Sequence, residues 1–261
     1  MEDLFARRVS LGFTWHGNPE KAGMLHPFAD RQDALYAFVR EIPSYVASTL
    51  RTFENIETSE LDAKVIIEYG RGIADMPTMA IRTVENYGQA SRYLFERLKS
   101  RGTSAFSLDL DLISRLHGIL ARDEVRHPGE LRRIPVRIEE SSYIPPPHTQ
   151  VPGILEQGLD FLNNGALPIP ERAFATFLFL SRVQPFENAN KRTAALCMNA
   201  VLLSHGYPAV VIEGPTREFL HSMASFYETA VADSMMDELF DMAIRQHGFY
   251  GENLERSPGK P

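Results

Sequence analysis

The sequence predicts an all-α helical bundle carrying one small β-hairpin. Three observations lead there. From Arg31 onward, apolar residues recur at three- and four-residue steps, the period of a helix with one buried face. A single stretch breaks that period: Ile134, Val136 and Ile138 alternate with Pro135, Arg137 and Glu139, as a half-buried strand does. Finally, 44% of the 261 residues are apolar, enough for one sizeable core.

Taken in order, the first thirty or so residues hold Gly12, Gly17, Pro19, Gly23 and Pro27 and read as an irregular arm. Leu35, Phe38, Val39, Ile42, Val46 and Leu50 then mark a long helix, with Pro43 as a kink. Leu61, Val65 and Glu68 lie on a shorter helix that Gly70 and Gly72 end. Ile81, Val84, Tyr87, Leu94 and Leu98 form a third stripe, closed by Arg101-Gly102. Ser107 is the expected N-cap of a fourth helix, whose face is Leu112, Ile113, Leu116 and Leu120 and whose stop is His127-Pro128-Gly129. The hairpin is expected over Ile134–Ile144, bounded by Pro145-Pro146-Pro147. Five further helices are expected from Val151 to Gln246, and the last dozen residues read as a flexible tail. In domain terms, residues 1–81 are an N-terminal arm and helices packing on the core, 82–247 the central domain and 248–261 the tail.

Charge and cysteine content narrow the function classes. Twenty-seven basic and 34 acidic residues give a net charge of −7, against a nucleic-acid coat and against a polybasic membrane anchor. One cysteine, Cys197, excludes a disulfide framework and any multi-cysteine metal site, and its place in an apolar helix suits the core. No apolar run is long enough to span a bilayer, and the opening Met-Glu-Asp-Leu lacks a leader pattern. The expected setting is the cytoplasm, with no nucleic-acid or membrane partner.

The segment that carries chemistry is Val183 to Thr193, V-Q-P-F-E-N-A-N-K-R-T. It joins two strongly apolar helices, yet it holds Gln184, Asn188, Asn190, Lys191 and Arg192. Two cations at a helix N-terminus oppose the helix dipole unless an anion offsets them, which makes the segment a phosphate-binding candidate. A polar turn with two solvated cations fits the spacing as well.

This segment resembles the motif of the Fic/Doc family, H-P-F-x-[DE]-G-N-G-R-x-x-R, with Pro185, Phe186, Ala189, Asn190, Lys191 and Arg192 in register with its Doc-like A-N-K-R variant. Other landmarks follow in order: His127-Pro128-Gly129-Glu130-Leu131-Arg132, Tyr143-Ile144-Pro145-Pro146-Pro147, Met198-Asn199 and Gly206-Tyr207-Pro208. The resemblance implies a Fic-fold helical bundle with a small β-hairpin flap over the active-site loop. It implies ATP on the loop, held by Phe186, Ala189, Asn190, Lys191 and Arg192, and Mg²⁺ at Asn188 with Glu187. It also implies a protein target laid along the flap residues Ile134, Val136, Ile138 and Tyr143. A homodimer stays open as an assembly.

Several departures from the motif bear on activity. Gln184 stands where the family has its catalytic His, and an amide takes up no proton near neutral pH. Asn188 replaces the metal-binding acid, Lys191 a glycine, and Ala195 the second arginine. Many family members are inhibited by a glutamate on an earlier helix, with the pattern S/T-x-x-x-E-[GN]; Glu68 in Lys64–Tyr69 resembles it weakly, and a helix-end surface glutamate is the plainer alternative. His26-Pro27-Phe28 imitates the motif's start without its continuation; His127 suits the turn into the flap, and His117 suits packing. Three functions follow: AMP transfer from ATP to protein hydroxyls with an impaired site, a catalytically inactive nucleotide- or partner-binding protein, or a Doc-like phosphotransferase or another phosphate-donor transferase.

Overall fold

The computed structural model describes residues 2–101, 106–139, 141–213 and 216–255. Gly102 and residues 256–261, on which parts of the sequence expectations rest, lie outside the described residues.

At the centre is a pair of helices, α8 (Ile169–Val183) and α9 (Asn190–Ser204), joined by the motif loop. Both are apolar nearly all round, which is why they sit inside rather than on the surface. They pack on each other more extensively than any other two elements. Around them lie α3 (Arg31–Glu54), α5 (Thr78–Ser100), α6 (Leu110–Leu120), α7 (Val151–Asn164) and α11 (Asp233–Glu255). The short α4 (Glu60–Tyr69) leans on α3 and α5, and α10 (Arg217–Thr229) on α11.

Caps fix these helices in place. Asp30 accepts from Gln32 N (2.8 Å) to start α3, which gives the His26–Asp30 stretch a structural role. Asp109, not Ser107, caps α6 by accepting from Leu112 N (2.8 Å). α3 runs unbroken through Pro43. Residue 82 lies inside α5, and α11 continues past Gln246 to Glu255.

The opening residues are not an irregular arm. They hold α1 (Glu2–Leu11) and α2 (Pro19–Gly23), between which Phe13 and Trp15 are fully buried. The Trp15 indole donates to Glu171 Oε1 on α8 (2.5 Å), while Arg7 donates to Trp15 O (2.6 Å) and lies over the same ring at 4.3 Å. Glycines and prolines here mark helix ends instead of an unstructured chain.

The expected flap hairpin is absent. Among the described residues the only β-bridge is an isolated one between Thr14 and Val231, and residues 131–139 and 141–147 form no strand. Pro135 and Pro145-Pro146-Pro147 remove the N–H donors that a ladder needs. Ile134 and Ile144, the ends of the proposed strands, are 52% and 72% exposed, and of the alternating apolar residues only Ile138 is buried, too little to set a register. Alternation with a single buried residue did not suffice to make a hairpin.

Candidate active site

The loop from Gln184 to Ala189 is bracketed by two left-handed residues. Gln184 (φ 49°) ends α8 and Ala189 (φ 55°) begins α9. Neither is glycine, so the surrounding contacts must hold both turns. Asn190 does so from within: its Oδ1 accepts from Phe186 N and its Nδ2 donates to Phe186 O, both at 2.9 Å. The Phe186 ring is fully buried and stacks on the His117 imidazole of α6, centroids 3.7 Å apart and nearly parallel.

His117 is a second anchor. Its Nδ1 accepts from Gly129 N (2.9 Å), so Nε2 carries the hydrogen and donates to Asn188 O at 3.2 Å. Burial pushes its pKa down to about 4, keeping the ring neutral as these two roles require. Gly129 has φ +88°, and a Cβ there would meet Ser114 O at 3.0 Å, so the approach of its N–H to His117 calls for glycine.

Arg192 is clamped. Its guanidinium is wholly buried and donates to both oxygens of Glu124, NH1 at 2.8 Å and NH2 at 2.5 Å. Glu54 Oε1, from the end of α3, approaches Nε to 2.6 Å, an ion pair off the line of a good hydrogen bond. Burial acts against the charge of Arg192, yet the bond to Glu124 and the field of Glu54 raise its pKa. Burial in turn lifts the Glu54 carboxyl above the ordinary carboxylate range, with Arg192 pulling the other way. Glu124 also accepts from Asn188 Nδ2 (3.0 Å) and Thr83 Oγ1 (3.1 Å).

Beside this clamp opens a cleft of about 360 Å³. Its floor is the loop with Gln184, Asn188 and Lys191; one wall is Phe53 and Glu54, the other the extended residues 136–139. α9 begins at Ala189 without a side-chain cap, so the positive end of its dipole faces the cleft, as an anion site requires. Lys191 stands at that end, its ammonium 5.7 Å from the Phe53 ring. The Gln184 amide, 8% exposed, is folded back to donate to Ser181 O at 2.6 Å.

The extended segment is tied to the loop through Arg132, which is 3% exposed. Its backbone N donates to Pro185 O (2.9 Å), its Nε to Gln184 O (2.6 Å), NH1 to Ile134 O (3.1 Å) and NH2 to Pro146 O (2.5 Å). Tyr143 stacks on Tyr227 and under the Arg182 guanidinium, 4.0 Å away.

The structure thus brings Gln184, Glu187, Asn188, Ala189, Asn190 and Lys191 together on one cleft with Val136 and Ile138. Arg192 lies behind it, Phe186 and Asn190 lock the loop, Ile134 is exposed, and Tyr143 packs toward Tyr227. Glu68 is exposed on the last turn of α4. The carboxylates that meet Arg192 are Glu54 and Glu124, which the sequence reading passed over; Glu54-Asn55 carries the same Glu-Asn ending sought at Glu68, and it closes a helix. For a Mg²⁺ ion held jointly with nucleotide phosphates, the cleft offers the Asn188 side-chain oxygen and the Glu187 carboxylate, the Asn188 amide nitrogen being spent on Glu124. Among the described residues no three His, Cys, Asp or Glu side chains stand close enough to hold a metal ion by themselves. No described helix is long and apolar enough to cross a membrane.

Comparison with known proteins accords with this geometry. The sequence profile of the Fic/DOC family matches residues 107–202. Protein adenylyltransferase fic-1 of Caenorhabditis briggsae is 27% identical over 160 residues, 59% of this chain; the match takes in only 30% of that protein's length. A structure of Fic-1 from C. elegans superposes with a TM-score of 0.75 at 20% identity, over 98% of this chain and 75% of the other. The structure of IbpAFic2 covalently tethered to Cdc42 does so with 0.60 at 17%, over 94% of this chain and 77% of the other. Residues 107–202 of this chain are a Fic/DOC family domain.

Proposed function

We propose that this chain is a nucleotide-dependent transferase of the Fic type, moving AMP from ATP to a hydroxyl of a protein target. The observation that carries the reading is the uncapped N-terminus of α9, with Lys191 beside it, opening onto a cleft walled by an extended peptide segment. The first-turn amides and Lys191 receive phosphate oxygens. Residues 136–139, with few backbone partners of their own, receive an extended target. In the transfer, the target oxygen bonds the α-phosphorus, the bond to the bridging oxygen breaks and pyrophosphate leaves. The hydroxyl proton goes to solvent, since the Gln184 amide holds a hydroxyl but takes no proton.

Arg192 reaches a phosphate only when Glu54 and Glu124 release it. The resting arrangement therefore supports slow transfer, and it also favours a second reading, a domain that binds nucleotide or partner without chemistry. The Gln184 amide engaged with Ser181 O points the same way.

Incubation of the full chain with α- or γ-labelled ATP and lysate protein separates these. AMP transfer labels protein from the α position only, and Gln184→His raises incorporation by part of the ~10²–10⁴-fold attached to a general base. Label from the γ position alone indicates phosphoryl transfer. No label from either chain favours the inert reading.

A further inference from the structure

We propose that Arg132 is the positioning residue for the acceptor: it sets the distance between the target-holding segment and residue 184, in place of the hairpin. The proposal rests on the transferase reading above. Arg132 joins four carbonyls that no ladder connects. Two, those of Gln184 and Pro185, belong to the motif loop; two, those of Ile134 and Pro146, belong to the opposite legs of the segment. A guanidinium has donors diverging in one plane, so a single side chain reaches three separate oxygens. Lysine has three donors on a flexible stem at one point and does not span them.

The consequence is a division of labour. Asn190, Phe186 and His117 hold the loop on its nucleotide side without touching Arg132. Arg132 holds it on the acceptor side, by the very carbonyl of the left-handed Gln184. Removing Arg132 should free both legs and leave the α9 N-terminus intact. The segment is anchored further by Ile138, which is buried in the core, by Ser142, which donates to Glu228 Oε1 (3.3 Å), and where Tyr143 meets Arg182 and Tyr227.

The test compares the full chain with Arg132→Lys and Arg132→Ala. Trypsin cleavage at Arg137–Ile138, followed by mass spectrometry, reads the segment; calorimetric titration of ADP reads the nucleotide side. We expect cleavage about tenfold faster in Arg132→Ala and intermediate in Arg132→Lys, with ADP affinity unchanged within about twofold, as for a locally opened unit. In the Gln184→His background, incorporation of α-labelled AMP into lysate protein should fall about tenfold with the half-saturating ATP concentration unmoved, the signature of a displaced acceptor. Unchanged cleavage overturns the proposal. So does a loss of ADP affinity in step with cleavage, which would mean that the whole loop had collapsed. Should Arg132→Ala fail to fold, Arg132→Lys carries the same comparison. If Gln184→His transfers nothing, the transferase reading fails, and cleavage against ADP affinity still decides the role of Arg132.

Discussion

The two sides of the cleft are built by opposite means. The motif loop is largely buried and held by an aromatic stack, two amide–backbone bonds and a neutral histidine. The facing segment is extended, more exposed and tied down by the side chains of Arg132, Ile138 and Tyr143. Phosphate is the same in every nucleotide, so a rigid cradle suits it. A target peptide brings its own backbone donors and acceptors, and a segment that leaves its own unpaired suits that. The contrast is a claim about energy as well as shape, and it can be broken at either wall.

The largest effect is expected at Phe186. Its ring is wholly buried against His117, so Phe186→Ala removes the stack and leaves a cavity under the loop. We expect a loss of about 3–5 kcal/mol in urea unfolding, the usual range for a buried Phe. A loss below about 1 kcal/mol would show that the loop is not organised around this ring.

The next effect belongs to His117 and depends on pH. Its folded pKa of about 4 lies below the ordinary 6.5, so the unfolded chain takes up the proton first as pH falls. Stability is then complete above about pH 6.5 and declines until pH passes the folded value, by about 3 kcal/mol from this residue. Unfolding free energies measured from pH 7 to pH 4 should fall more steeply in the native chain than in His117→Gln. Parallel curves would contradict the buried neutral ring.

A smaller, opposite change is expected at the clamp. Glu54→Gln removes one of the two carboxylates that hold Arg192. ADP affinity, by calorimetry, should rise about tenfold, or about 1.4 kcal/mol, because the guanidinium then faces phosphate with less competition. The gain is limited because Glu124 keeps both of its bonds. An unchanged affinity would mean that Glu124 alone sets the position of Arg192.

Much of this was legible in the sequence, and the exceptions have a common cause. Helical period located the core helices, and the run from Gln184 to Arg192 marked the loop that lines the cleft. Period failed at Ile134–Ile144, because alternation reports a strand only where a whole face is buried and the chain has N–H groups to pair; here Ile138 alone is buried, and Pro135 and Pro145-Pro146-Pro147 lack the donors. The protein partners of Arg192 and Asn190 escaped the sequence for a related reason. A cation and an amide beside a candidate phosphate site read as ligands, while their partners, Glu54, Glu124 and Phe186 backbone, become visible only on folding. Glu124 follows α6 with no pattern around it, so nothing local marked it. His117 was read as packing, which the Phe186 stack bears out, but its two backbone bonds depend on Gly129 and Asn188, 12 and 71 residues away.

The smallest effect completes the comparison at the other wall. Ile134 begins the facing segment, and its side chain is 52% exposed, so it contributes little to the core. Its carbonyl, not its side chain, is what Arg132 binds. Ile134→Ser preserves that carbonyl, so folding stability should change by less than about 0.5 kcal/mol, as at most exposed positions. The same substitution removes apolar surface that an incoming target would cover, so labelled AMP incorporation by the Gln184→His chain should fall while ADP affinity stays put. The pair of measurements, urea unfolding and ADP titration, places Ile134 against Phe186 directly. A loss of stability comparable to that of Phe186→Ala would show that the segment is part of the folded core, and that the division between a rigid nucleotide wall and an open acceptor wall is wrong.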